Sequence, residues 1–150
     1  MANINAFDLT QRPPRSPRAR LGGYCILPRM LDKGRATVAG KHGEFHYNCP
    51  LDQEFLKFAG VDAEKVKSQL ATGLGDGEIL KWITENSTTK PSQVQIASWT
   101  AFQEQRGANN LESRKFFNEY HEKLAPHRDD VANWFDILDI DDFVSFGGKA

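Results

Sequence analysis

Pro50-Leu-Asp-Gln-Glu-Phe-Leu-Lys-Phe-Ala-Gly60 carries a complete set of helix signals. Proline suits the first helical position, where its missing N–H would have no intrahelical partner. Asp52 and Glu54 sit at the positive end of the helix dipole, Leu51, Phe55, Phe58 and Ala59 share one face, and Gly60 offers the left-handed stop. The spacing predicts a short helix, and the same punctuation recurs on both sides of it. Upstream, Leu27, Met30, Leu31 and Val38 describe a helix that stops at Gly40, with Pro28 in its first turn or as a kink after Tyr24. Between the two, Gly43–Asn48 alternates aromatic and polar residues over too few positions for more than a minor β element near 43–48. Downstream, Asp62 caps a helix through Val66 and Leu70 to Gly73, and Asp76 caps one carrying Ile79, Leu80, Trp82 and Ile83. Longer helices follow from Pro91-Ser92 to Gly107 and from Asn109 or Asn110 to Pro126. Val131, Trp134, Phe135 and Leu138 then form one apolar face, capped by Asp129 or Asp130, ahead of a glycine-containing tail at 143–150. The fold expected is all-α, a compact bundle of six to eight short helices.

Arg12-Pro-Pro-Arg-Ser-Pro-Arg-Ala-Arg20 resists helix, because proline fixes φ and disfavours helix in the residue before it. Residues 1–22 therefore read as an extended arm strapped along the surface. A chain of 150 residues with 39% hydrophobic, 11% aromatic and 26% charged side chains matches one globular domain and excludes wholesale disorder. No run approaches 18 apolar residues, and the first thirty carry arginine and proline where a secretion signal would be apolar, so no membrane association and a cytoplasmic setting are expected. Cys25 and Cys49 are too few for a disulfide framework and lack C-x-x-C spacing; both are expected as free thiols.

The net charge of −1 conceals two poles. Residues 1–41 hold eight Lys/Arg against Asp8 and Asp32, whereas Asp129, Asp130, Asp136, Asp139, Asp141 and Asp142 crowd the end of the chain. Two readings follow: the basic front docks on the acidic end, within one chain or between copies of a homo-oligomer, or it holds an anionic ligand. Nucleic acid is disfavoured by a pI near 6.4.

Longer phrases stand out as well: Asp8-Leu-Thr, Arg12-Pro-Pro-Arg-Ser-Pro-Arg18, Leu21-Gly-Gly-Tyr24, Leu27-Pro-Arg-Met-Leu-Asp-Lys33, Gly43-Glu-Phe-His-Tyr-Asn-Cys-Pro-Leu-Asp52 and the closing Trp134-Phe-Asp-Ile-Leu-Asp-Ile-Asp-Asp142. Together they resemble an uncharacterised family of small bacterial proteins known as a domain of unknown function, over nearly the whole chain. The resemblance implies a bacterial, cytosolic, single-domain protein; it brings no catalytic residue.

Two clusters can carry chemistry. In His46-Tyr-Asn-Cys49-Pro-Leu-Asp52 the cysteine falls at a helix cap, where free N–H groups favour a thiolate, with a histidine and a carboxylate three residues to either side. Cys49, His46 and Asp52 are thus the candidate catalytic set; otherwise Cys49 is a small buried residue and Asp52 serves the dipole. The second cluster is basic: Arg12, Arg15, Arg18, Arg20, Arg29, Lys33 and Arg35 could hold a carboxylate or phosphate, with Arg18, Arg20, Lys33, Arg35 and Tyr47 as the candidate ligand contacts, or could simply pair with the acidic end. Gly73-Leu-Gly75-Asp-Gly77 lacks the leading strand and following Lys-Ser/Thr of a phosphate loop, and His121 and His127 are six apart rather than four. Trp99, Phe102, Phe116, Phe117, Tyr120, Trp82 and Trp134 lie in apolar stripes and read as core. The expected function is a protein without metal or cofactor that binds, or acts on, a small anionic metabolite; the alternative is a protein-interaction or regulatory module using the basic arm.

Overall fold

A computed structural model describes residues 3–150. Among them, seven helices form: α1 (Leu27–Val38), α2 (Pro50–Ala59), α3 (Ala63–Leu70), α4 (Asp76–Asn86), α5 (Gln93–Gln105), α6 (Leu111–Leu124) and α7 (Trp134–Ser145). The all-α expectation holds. Segment 43–48 is a pair of turns, and the lone bridge among the described residues joins Leu21 to Tyr24 around Gly22-Gly23, both at positive φ, as a tight reversal requires.

The cap signals fall largely where the sequence puts them. Asp62 accepts from the Lys65 N–H, Ser92 from Gln95 and Asn110 from Ser113, each closing a first turn. Two caps differ. Gly75 rather than Asp76 caps α4, its N–H donating to Glu78 Oε1, so Asp76 stands inside the helix with its carboxylate free to pair elsewhere. Asn133 rather than Asp129 or Asp130 caps α7, which begins later and runs through Ser145, into the stretch read as tail.

The main apolar cluster gathers α1 to α4 with Ile96 of α5 and Phe135 of α7; Tyr24 sets its ring edge-on to Phe55 at 5.1 Å and to Trp99 at 6.2 Å. A smaller cluster of Phe117, Ala125, Val131, Ile137 and Ile140 joins α6 to α7. Phe102 and Phe116 are not core, being 60% and 59% exposed. On α6, only Phe117 is buried, so its apolar stripe is wider than the strip it covers.

α1 runs through the middle, buried along most of its length, and at Gly34 it approaches α3 so closely that a Cβ would stand 2.5 Å from Leu70 Cδ1. Its entry is strained. Ile26, β-branched and buried, has φ 70°, and the turn is held by its N–H to the Pro17 carbonyl and by Cys25 N–H to Thr100 Oγ1.

Burying α1 also buries its charges, and each meets an opposite charge from a different segment. Arg29 grips Asp142 of α7 at 2.7 Å, Asp32 takes Arg15 of the arm at 3.0 Å, Lys33 meets Asp52 of α2 at 2.9 Å, and Arg35 meets Asp76 of α4 at 2.8 Å. Arg15 also reaches Asp76 at 2.8 Å, closing a four-charge network between arm, α1 and α4.

That network fixes a pH response. Hydrogen bonds from Arg15 and Arg35 outweigh desolvation and hold the Asp76 carboxyl below its usual value. A depressed carboxyl stabilises the fold above its unfolded pKa, about 3.9, and the contribution fades as pH falls below that. Asp76→Asn should therefore lower the thermal midpoint clearly at pH 7 and much less at pH 2.5. Equal losses at both values would show that Asp76 does not act through its charge.

Candidate functional site

The basic residues named as ligand contacts go to separate carboxylates. Arg18 pairs with Asp136 and, at 3.0 Å, with Asp139 of α7, where Ser16 Oγ also donates at 2.7 Å. Arg20 bonds Glu104 of α5 at 2.7 Å and Arg35 goes to Asp76. The basic arm thus docks on the acidic end within one chain. Tyr47 turns its hydroxyl to the Ala63 carbonyl at 2.7 Å, and burial pushes that phenol well above its usual range. A cavity of about 340 Å³ borders Arg15, Arg35, Asp32 and Asp76, but these two cations and two anions already satisfy one another.

Cys49 lies elsewhere. It caps α2 with extended backbone, its Sγ not bonded to the helix N–H groups, and it opens on a cavity of about 550 Å³ between the 43–49 turn, α1 and α7. Asp52, at the third helical position, is fully buried, and its Oδ2 accepts from the Asn48 N–H at 2.9 Å. Behind the sulfur stands Lys33, whose side chain is 4% exposed. Its Nζ lies 3.2 Å from Cys49 Sγ, 3.1 Å from the His46 carbonyl oxygen and 2.9 Å from Asp52 Oδ1. The Asp52 Oδ1 contact is off the hydrogen-bond angle, so charge rather than a directed bond holds it.

His46 is drawn into this cluster through its backbone; its imidazole is exposed on the cavity rim, and no hydrogen bond joins it to Cys49 among the described residues. The cation beside the sulfur is an α1 lysine, sixteen residues away in sequence. Nothing local announces that contact; it is set by the crossing of α1 and α2.

The rest of the cavity wall mixes charge with apolar surface. Arg29 holds Asp142 in a two-point bond of 2.7 and 3.2 Å and lies over the Phe45 ring, which stacks on Phe146. Burial keeps the Asp142 carboxyl above its usual range even against the pull of Arg29. Asp141, alongside, accepts from Tyr120 and Ser145 hydroxyls. Among the described residues, no three His, Cys, Asp or Glu side chains group as a metal site.

Chemically, a thiol, an ammonium and a carboxylate meet at the edge of a cavity within the size range of small-molecule sites. The other thiol differs: burial pushes Cys25 up to about 11, which keeps it protonated.

The fold and this cluster define an all-α protein with a buried Lys–Asp pair under a cavity-facing cysteine. The chain belongs to the family described as a domain of unknown function (DUF5069), matched over residues 11–144. No curated protein matches the chain.

The buried pair is testable by thermodynamics. Lys33→Met alone strands the Asp52 charge and should cost about 3–5 kcal/mol in urea unfolding, whereas Lys33→Met with Asp52→Leu should regain most of it. A double variant no more stable than the single would show that the pair is not electrostatically coupled.

Proposed function

We propose that the protein is a small-molecule binder or enzyme that works without a cofactor, and that Cys49 is its nucleophile toward an electrophilic carbon of a metabolite. The observation that supports this reading is the Lys33 ammonium 3.2 Å from a sulfur that borders an open cavity. An ammonium at that range is a charge-assisted donor aimed at the sulfur, and Asp52 keeps the cation oriented. His46 lines the same cavity, exposed on its rim.

The anionic ligand expected from the sequence meets here only Arg29, itself held in a two-point bond by Asp142, and the rim residue His46, since Arg18, Arg20 and Arg35 are committed to carboxylates outside the cavity. Glu44, Asp141 and Asp142 share its wall, which favours a small acid with one negative charge over a polyphosphate. Among the described residues, no helix is long and apolar enough to cross a membrane, and the setting we propose is the bacterial cytosol. A second reading, an interaction module, draws support from Val94 and Phe102 of α5 and Leu111 and Phe116 of α6, all exposed, rather than from the arm, whose Arg15, Arg18 and Arg20 are internally paired.

Alkylation of the full chain with iodoacetamide at pH 7 tests the first reading. Cys49 should label about tenfold faster than in the Lys33→Met/Asp52→Leu variant, with Cys25 unlabelled, and a bound small carboxylic acid should protect Cys49. The same acid, at a hundred times its dissociation constant, should add about 2.7 kcal/mol of stability. Equal labelling of Cys49 in both proteins would remove the nucleophile, and a flat response to every acid would favour the interaction module.

A further inference from the structure

We infer that Lys33 and Cys49 join in a reversible covalent bond, a sulfenamide, when a peroxide reaches the cavity. The inference rests on the reading of Cys49 as the cavity's reactive thiol and adds a regulation of it.

Cys49 borders the cavity, so a small oxidant has access to its sulfur. Peroxide oxidises a thiolate to the sulfenic acid, and a sulfenic acid condenses with whichever nucleophile is in reach. A resolving thiol is not at hand: no disulfide forms, and Cys25 lies fully buried, its backbone N–H bound to Thr100. An amine is at hand. Lys33 Nζ sits 3.2 Å from Sγ, and its side chain is too enclosed to swing into solvent. The ammonium must first give up a proton to a base, and the carboxylate nearest to it is Asp52, whose Oδ1 is 2.9 Å from Nζ.

The chemistry closes in two steps. First, the thiol is oxidised by hydrogen peroxide to sulfenic acid, releasing one water. Then the neutral Lys33 amine attacks the sulfur; the S–N bond forms, the S–O bond breaks, and hydroxide leaves with the second amine proton as water. Two equivalents of an external thiol reverse the bond, returning thiol and amine and leaving one external disulfide. While it lasts, the bond ties α1 to α2, removes the nucleophile, and keeps the sulfur from the irreversible sulfinic acid.

Peptide mapping by mass spectrometry after treatment of the full chain with hydrogen peroxide tests this. A peptide pair joining Lys33 to Cys49 is expected, lighter than the sum of its parts by two hydrogens and separated again by dithiothreitol. Cys49→Ser, which leaves the Lys33–Asp52 pair intact, should not form it. Rapid alkylation of Cys49 together with oxidation to free sulfenic or sulfinic acid and an unmodified Lys33 would overturn the cross-link and leave the proposed function standing. A Cys49 inert to both peroxide and iodoacetamide would overturn both.

Discussion

Burying the charges of α1 is the constraint on which the rest of the molecule depends. Arg29, Asp32 and Lys33 are each at most 4% exposed, in the middle of the apolar cluster formed by Leu27, Met30, Leu31 and the residues around them. A buried charge without its partner costs about 3–5 kcal/mol, a large part of the 5–15 kcal/mol that holds a domain folded. The four partners come from the arm, α2, α4 and α7, segments spread over the whole sequence. Apolar burial drives the helices together, and any arrangement that swaps or slides one of those segments orphans a charge on α1. The pairs therefore select one packing among the several that seven short amphipathic helices allow.

The candidate site is built from the same contacts. Lys33 belongs at once to the α1–α2 pair and to the surroundings of Cys49, and Arg29 belongs both to the α1–α7 pair and to the cavity wall. Because these side chains are fixed by packing and by their partners, the ammonium meets the sulfur without needing a ligand to bring it there. Preorganisation of this kind spares the reorganisation that a flexible site would require during reaction. It also makes folding and chemistry hard to separate by single substitutions, since removing Lys33 alters both.

Helix positions were legible because caps and stops are local. Pro50, Asp62, Ser92 and Asn110 act within one turn of where they stand, so reading them needs no knowledge of the rest of the chain. Asp76 misled for an instructive reason: an aspartate beside a helix start has the chemistry of a cap, but two arginines, sixty-one and forty-one residues away, compete for its carboxylate. Phe102 and Phe116 misled because periodicity shows which face is apolar and not how much of that face finds a neighbour. The attraction between basic front and acidic end was visible in composition, while the pairing of Arg18 with Asp139 and of Arg35 with Asp76 depends on how the helices cross. In the same way Cys49 and Asp52 were visible at the start of α2 and Lys33 among the basic residues, but not that the lysine lies beneath the other two.

Native-state hydrogen exchange of the α1 amides tests the central role of that helix most directly. If the ion pairs lock α1 to four segments, the amides of Leu31 to Arg35 exchange only through global unfolding, with the same denaturant dependence as the whole molecule, while those of α6, which buries Phe117 alone, exchange through smaller openings. Exchange of the α1 amides through a local opening easier than that of α6 would contradict it.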